Sequence, residues 1–235
     1  MRVKVGCCGF CMAMERYFSE FKLVEVQKTF YQPVSEKTAK RWRGKAPEDF
    51  EFTVKAFQKI THPPSSPTFK RYKIEAKDCG FFKPNEEVFE AWEVTKEIAK
   101  VLKAKIIVFQ TPKSFTESDE NVKNMQEFFS SVERDFTFVW EPRGWREEKV
   151  REVCEELDLI HCVDPFVSKP TYGEIAYLRL HGSHKRMYRH KYSKDELIWL
   201  KKFCEELKKD AYVLFNNVYM CEDAKSFSQL IRESP

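Results

Sequence analysis

The chain has 235 residues, of which 42% are hydrophobic, 15% aromatic and 33% charged. This composition excludes a disordered protein and supplies enough apolar side chains for a large core. The formal net charge of +4 is too small to identify a nucleic-acid-binding protein by itself. Because the sequence contains neither a long apolar run nor a signal-peptide pattern, we expect a globular cytoplasmic protein with no membrane partner.

Eight short runs rich in β-branched and aromatic residues predict eight strands. Segments with helical periodicity, such as Val88, Trp92 and Leu102, lie between them, and Ser193 is predicted to begin a helix with a capping box. A helix after every strand predicts an α/β fold, a single (β/α)8 TIM-type barrel domain over residues 1–235. The predicted strands are Val3–Val5, Leu23–Gln27, Phe50–Lys55, Lys105–Gln110, Phe136–Glu141, Leu159–Asp164, Ile175–His181 and Tyr212–Asn217.

The seventh predicted strand carries charge within an apolar run. Side chains alternate across a strand, so Tyr177, Arg179 and His181 share one face while Leu178 and Leu180 share the other. The outward face of a barrel strand packs on helices and has to be apolar. Arg179 and His181 are therefore predicted to point into the barrel.

The same alternation places polar side chains at the inner carboxyl ends of other strands, where barrel enzymes have their active sites. We interpret them as a site. The alternative is a set of buried ion pairs, Glu25 with Arg179 or Glu141 with Lys55. The predicted catalytic residues are Lys55, Glu141, Arg179 and His181. The predicted ligand-binding residues of the strand ends and adjoining loops are Glu25, Gln27, Tyr31, His62, Gln110, Arg143, Asp164 and Asn216.

Each predicted catalytic residue has a chemical reason. The guanidinium fork of Arg179 suits a carboxylate or phosphate, and the imidazole of His181 exchanges protons near neutral pH. Glu141 is the predicted general base. Lys55 and Asn216 are predicted to donate hydrogen bonds to a ligand.

Residues 182–194 are the most basic stretch of the chain, with five Lys or Arg residues and no acidic residue. The stretch follows the seventh strand, a region where barrels often bind phosphate, and its tyrosines also suit nucleic acid. Lys185, Arg186 and Arg189 are therefore predicted ligand contacts. The alternative is a solvated loop leading into the helix that begins at Ser193.

No cofactor is expected from the sequence. A catalytic metal would have to use His62, His181, His184, Glu141 or Asp164, but no recognised metal-binding spacing connects them. We therefore predict no metal ligands.

The eight cysteines do not form a recognisable disulfide framework, and most are expected to be reduced. Cys8 and Cys11 form a lone CxxC motif, which we interpret as small core cysteines or a redox pair. His161 lies in the middle of a predicted strand and is expected to be a core residue.

Seven short segments carry a family resemblance. They are FKLVEVQKTFY (Phe21–Tyr31), APEDFEFTVKAFQKITH (Ala46–His62), IIVFQTPKSF (Ile106–Phe115), WEPRGW (Trp140–Trp145), VDPF (Val163–Phe166), AYLRLHG (Ala176–Gly182) and YVLFNN followed by Ala224. In this order they resemble the YecE-like family, also called domain of unknown function 72. The resemblance implies a TIM-type barrel similar to endonuclease IV-like and xylose-isomerase-like enzymes, and it does not imply an activity. At GCCGF (Gly6–Phe10) the chain departs from the Gly-Thr-Ser-Gly-Trp type of stretch that the family tends to have.

The leading hypothesis is an enzyme, a hydrolase being one candidate class, or a ligand-binding protein for a phosphate-containing or other anionic substrate, including nucleic acid. One alternative is a non-catalytic nucleic-acid-binding module that uses residues 182–194. Another is a metal-dependent hydrolase or isomerase resembling endonuclease IV-like barrels. The expected partner is an anionic small molecule or nucleic acid, and the sequence indicates no protein partner.

Overall fold

The computed structural model describes residues 2–183 and 186–233. Its eight strands are parallel and pair in sequence order, and the eighth pairs with the first, so the sheet closes into a barrel. The predicted (β/α)8 architecture is confirmed. The strands are β1 (Val3–Cys8), β2 (Leu23–Val26), β3 (Glu51–Lys55), β4 (Ile106–Gln110), β5 (Thr137–Glu141), β6 (Ile160–Val163), β7 (Ala176–Leu180) and β8 (Ala211–Phe215).

Helices surround this barrel, but not one after every strand as predicted. Residues 164–175 join β6 to β7 without a helix, whereas the β3–β4 connection contains three. Among residues 2–183 and 186–233, no helix has both the length and the apolar composition needed to cross a bilayer. The helices are α1 (Met14–Glu20), α2 (Lys28–Tyr31), α3 (Glu36–Lys45), α4 (Gln58–Thr61), α5 (Pro67–Tyr72), α6 (Glu86–Leu102), α7 (Asp119–Ser131), α8 (Glu147–Leu157), α9 (Lys194–Glu206) and α10 (Met220–Arg232).

Two separate apolar clusters confirm the predicted alternation along the strands. Leu178 and Leu180 belong to the cluster between barrel and helices, whereas Tyr177 packs inside the barrel with residues such as Val139 and Leu214. Burial of the outer faces of the strands against the helices provides the main hydrophobic stabilisation. It also fixes which side chains of each strand point inward.

The start of α9 confirms the predicted capping box. The Ser193 hydroxyl accepts a hydrogen bond from the Glu196 amide, and the Glu196 carboxylate accepts one from the Ser193 amide. Two otherwise unpaired amides are thereby satisfied, which defines where the helix begins after the basic loop.

A disulfide between Cys11 and Cys221 joins the loop after β1 to α10. Cys8 lies inside the barrel as a free thiol, so a redox pair of Cys8 with Cys11 is wrong, because Cys11 has a different partner. The expectation that most cysteines are reduced is confirmed. The free cysteines are Cys7, Cys8, Cys79, Cys154, Cys162 and Cys204.

Candidate functional site

Arg179, near the end of β7, lies at the centre of a charged network inside the barrel. Its side chain is fully buried, and its Nη2 atom is 2.9 Å from Glu25 Oε1. The Nη1 group donates to Glu141 Oε2 and is 3.3 Å from Gln110 Oε1. Arg179 therefore points inward as predicted, but its charge is already balanced by two carboxylates. Arg179 therefore fits the alternative of a buried ion pair. Because its side chain is fully buried between two carboxylates, it cannot make a direct bidentate contact with a ligand anion.

Glu141 and His181 form the second part of the network. Glu141 Oε1 is 3.1 Å from His181 Nε2, and Asn216 Nδ2 is 3.0 Å from His181 Nδ1. Burial alone would raise the pKa of Glu141, but the charge of Arg179, followed by the interaction with His181, holds that pKa well below its usual range. An ionised Glu141 accepts, so Nε2 carries the proton, and Nδ1 can accept from the Asn216 amide. The arrangement is suited to proton exchange between His181 and a group at the carboxyl end.

Lys55, the last residue of β3, is buried and has a different environment. Its Nζ atom donates to Gln110 Oε1 at 2.6 Å and lies 3.8 Å from the centre of the Phe30 ring. Within the described residues it forms no ion pair, so the alternative pairing of Lys55 with Glu141 is wrong. Burial, followed by the positive charge of Arg179, lowers the pKa of Lys55 to about 7.

Glu25 connects the network to the interior layers of the barrel. Its Oε2 atom accepts a 2.9 Å hydrogen bond from the Tyr177 hydroxyl, which is also 2.7 Å from Thr53 Oγ1. Gln27 lies just beyond β2, where it is the N-cap residue of α2 rather than part of the strand, and its side-chain amide donates to Glu25. These bonds hold the Glu25 carboxylate towards Arg179.

Arg143, in the loop after β5, lies at the mouth of the barrel. Its Nη2 atom is 3.3 Å from Glu141 Oε1, and its side chain remains 24% exposed. Partial burial lowers the pKa of Arg143, but the Glu141 carboxylate and the Tyr188 hydroxyl raise it more. Unlike Arg179, Arg143 meets one carboxylate and is partly exposed.

The basic loop after β7 folds back against the barrel end. The Tyr188 amide donates to the carbonyl of His181, and the Tyr188 carbonyl accepts from the amide of Val218. Gly182 has a φ of +96°, and a Cβ there would lie 3.1 Å from the Cβ of His190. The Tyr188 ring meets the His181 ring edge-on at 5.6 Å between centres. Glycine at position 182 therefore permits the loop to place Tyr188 over the site.

Some positive charges of this loop are compensated by acidic residues of α9 and α10, although the stretch 182–194 itself contains no acidic residue. Lys191 pairs with Glu222 of α10, and His190 is 2.9 Å from Glu196. Arg186 and Arg189 are exposed, and neither forms an ion pair within residues 2–183 and 186–233. The predicted contact Lys185 and the metal candidate His184 lie outside the described residues.

The remaining predicted ligand contacts lie at the edge of the network. His62 Nδ1 is 2.8 Å from Thr61 Oγ1, and burial, followed by Lys55, lowers the pKa of His62 to about 3. Tyr31 stacks on Tyr72 at 4.6 Å. These two residues are half-buried near the mouth and contribute apolar and aromatic surface rather than charge.

Asp164 has a mainly structural position. Its carboxylate accepts hydrogen bonds from the backbone amides of His181 and Phe166, and burial raises its pKa. It fixes the β6 loop to the end of β7. His161 is buried as expected and hydrogen-bonds to Thr171, and burial lowers its pKa to about 4.

The donor groups do not fit a metal ion. Among residues 2–183 and 186–233, no three His, Cys, Asp or Glu side chains are arranged to hold one. Both Glu141 oxygens already contact cationic or imidazole groups, and Glu25 is held by Arg179 and Tyr177. We therefore assign no residue to a metal.

A cavity of about 120 Å³ lies beside the basic loop and is distinct from the network. It is lined by Phe166, Val167, Gly182, Ser183, His190, Tyr192 and Glu196. None of the four predicted catalytic residues lines this cavity, so it does not define the site.

Tyr188, Tyr177 and Phe30 belong to the site although they were not predicted as site residues. The alternation of side chains along β7 predicts that Tyr177 points into the barrel, on the same face as Arg179. The position of Tyr188 depends on the folding back of the loop, and that of Phe30 on the short helix α2. Sequence spacing reveals neither of these.

The closed barrel and the polar network at its carboxyl end define this chain as a TIM-type barrel protein. It belongs to the family described as Protein of unknown function DUF72, whose model matches residues 12–234. The family resemblance of the sequence segments is thus confirmed.

Similar proteins support the same assignment. The chain is 26% identical to UPF0759 protein YunF of Bacillus subtilis (strain 168), with 87% of this chain and 80% of that protein covered. The solved structure of a DUF72 family protein from Enterococcus faecalis V583 has a TM-score of 0.79 at 20% identity and covers 99% of this chain and 98% of that one. That of a DUF72 family protein from Thermotoga maritima has a TM-score of 0.71 at 22% identity, with 99% and 100% covered.

The barrel is also similar to that of endonuclease IV from Thermus thermophilus. The TM-score is 0.54 at 9% identity, and the match covers all of both chains. At this identity the similarity shows the fold alone.

Proposed function

We propose that this protein binds a phosphate-containing or similarly anionic small molecule at the carboxyl end of the barrel. The observation that supports this proposal is the position of Arg143, which lies at the mouth of the barrel, is partly exposed and contacts Glu141. A partly exposed guanidinium is suited to a phosphate, because its fork can donate two parallel hydrogen bonds and it carries a fixed charge. Arg143 replaces Arg179 as the proposed anion ligand.

The interior network supports a reactive role next to this anion site. Glu141 contacts Arg143 on one side and His181 on the other, so a ligand held by Arg143 would lie close to a proton-exchanging pair. Arg179 fixes the Glu141 carboxylate and keeps it ionised. We propose that His181 and Glu141 move a proton to or from the bound molecule, as general acid–base catalysis requires.

Calorimetric titration with glycerol 3-phosphate tests this proposal. Charge-assisted hydrogen bonds contribute about 1.5–3 kcal/mol, so Arg143→Ala should weaken binding roughly ten- to a hundredfold. Arg146→Ala is the matched control, because Arg146 is exposed, lies three residues away and pairs with Glu117. Equal affinities for wild type and a folded Arg143→Ala variant would refute the proposed anion site.

Nucleic acid is a second candidate ligand, favoured by the exposed part of the basic loop. Arg186, Tyr188 and Arg189 are all exposed, a combination suited to phosphates and unstacked bases. Binding of a short single-stranded oligonucleotide should then fall steeply with salt and be weakened in an Arg186→Ala, Arg189→Ala double variant. Glycerol 3-phosphate binding that responds only to Arg143 would favour the small-molecule site instead.

A further inference from the structure

Lys55 has surroundings that the proposed acid–base role does not explain. Lys55 is 5% exposed, its Nζ atom donates to the neutral amide oxygen of Gln110, and the same atom lies over the Phe30 ring. Lys59, only four residues later, instead forms a 2.7 Å ion pair with Glu87 on the outside of the barrel. Lysines that serve only as charges in a protein interior are normally paired with a carboxylate. The Phe30 ring face would attract an ammonium. The burial of Lys55 and the lack of a carboxylate partner for it among the described residues instead favour an uncharged amine.

The charged groups around Lys55 act in the same direction. Burial and Arg179 of β7 disfavour its ammonium form more strongly than Glu141 of β5, Glu25 of β2 and Cys8 of β1 favour it. Burial is the main cause that keeps His62, at the end of α4, neutral, so His62 adds no charge beside Lys55. With a pKa of about 7, a large fraction of Lys55 is an amine with a free electron pair near neutral pH.

We propose that the Lys55 amine is a nucleophile that forms a Schiff base with an aldehyde or ketone ligand at the carboxyl end of the barrel. Desolvated lysines next to a second cation are the ones that proteins use for this chemistry. The inference deepens the proposed function and rests on it in one respect, namely that the phosphate of the ligand is held at Arg143.

The step is balanced without an oxidant or a reductant. The Nζ electron pair forms a bond to the carbonyl carbon, the C–O π pair moves to oxygen, and a proton passes from nitrogen to that oxygen. The carbinolamine then loses its hydroxyl group together with the remaining amine proton as one water molecule, which leaves a C=N bond. The His181 and Glu141 pair is the group in this network suited to carrying these protons.

Reductive trapping tests the proposal on the folded wild-type protein. The protein is incubated with glycolaldehyde phosphate and cyanoborohydride, and the modified lysines are located by peptide mass spectrometry. Because exposed lysines are protonated at pH 7.5, we expect Lys55 to be labelled at least about tenfold faster than any other lysine. Half-maximal labelling should occur near pH 7 for Lys55, the pKa that its environment gives.

Two further probes separate this inference from the proposed function. Glycolaldehyde lacks the phosphate and should label Lys55 more slowly, while glycerol 3-phosphate lacks the carbonyl and should bind without labelling. Lys59→Arg should leave labelling at Lys55 unchanged, and Lys55→Arg should abolish it.

The outcomes distinguish the Lys55 nucleophile from the anion site at Arg143. Labelling spread over surface lysines, with Lys55 unmodified, would overturn the nucleophile even if glycerol 3-phosphate binds. Selective Lys55 labelling that is equally fast with and without the phosphate group would support the nucleophile and remove the proposed anion site.

Discussion

Arg179 is held between Glu25 and Glu141 at full burial, so at the residue scale its main contribution is to stability. Removing one partner of a buried charge network leaves the others uncompensated, which destabilises by about 3–5 kcal/mol. We expect Arg179→Met to lower the free energy of unfolding by this amount in urea titrations. Arg143→Ala, at a partly exposed position, should lower it by less than about 1 kcal/mol. Equal stabilities of the two variants would contradict the assigned roles.

The lowered pKa of Lys55 makes the stability of the fold depend on pH, and the sign of this dependence is fixed. Its folded-state pKa is lowered to about 7, whereas the unfolded chain binds the proton up to the ordinary lysine value. Burying the charged Lys55 therefore lowers the free energy of unfolding. This penalty has its full size below pH 7 and disappears as the pH rises towards about 10.4. We expect Lys55→Met to be more stable than wild type by a few kcal/mol at pH 6.

Thermal melts of both proteins between pH 6 and pH 10.5 check this prediction. The difference in melting temperature should shrink as the pH rises, since titrations at other positions cancel in the comparison. A difference that is constant across this range would mean that Lys55 is charged in the folded protein.

A substitution at Gly182 tests how the loop after β7 is held against the barrel. Gly182→Ala would combine a positive φ with close contacts to His190, Arg186 and Tyr188, so we expect the loop to shift away from the mouth. The stability loss should be about 1 kcal/mol, and binding of glycerol 3-phosphate should weaken. Hydrogen exchange of the Tyr188 amide, which is bonded to His181, should become faster.

Gly9→Ala is the matched control for this loop. Gly9 also has a positive φ, but a Cβ there has no atom within 4 Å. It should show a backbone effect without loss of protection at Tyr188. The same exchange rate at Tyr188 in both variants would refute the described closure of the loop.

Individual elements differ in how well the sequence predicts them. All eight strands are confirmed, because period-two alternation records which face is buried. The missing helix between β6 and β7 was not recognised, although Pro165, Pro170 and Gly173 interrupt any helical pattern there. The pairing of Lys191 with Glu222 joins the loop after β7 to α10, and no local sequence pattern reveals it because the two residues are far apart in the chain.

The charged site was predictable in position but not in connectivity. Alternation placed Glu25, Glu141 and Arg179 inside the carboxyl end, and the structure brings them together. Barrel geometry and loop packing decide which carboxylates hold Arg179. They also decide that Arg143 contacts one carboxylate and stays partly exposed. Spacing within a single strand carries no such information.

At the scale of the whole molecule, the Cys11–Cys221 disulfide links the two ends of the chain across 210 residues of sequence. A bond that closes so long a loop restricts the unfolded chain, and the entropic model gives a stabilisation of about 5 kcal/mol. Cys221→Ser should therefore lower the melting temperature substantially, and a reducing agent should lower that of wild type in the same way. Cys204→Ser, at a buried free thiol, is the comparison. A melting temperature of wild type that is insensitive to reduction would contradict this contribution.

The most direct test of the central claim is a crystal structure of the protein grown with glycerol 3-phosphate. We expect phosphate density at the carboxyl end of the barrel, with phosphorus within about 5 Å of the Arg143 guanidinium and Arg179 still paired with Glu25 and Glu141. A phosphate bound away from Arg143, or an empty barrel mouth at saturating ligand, would contradict it.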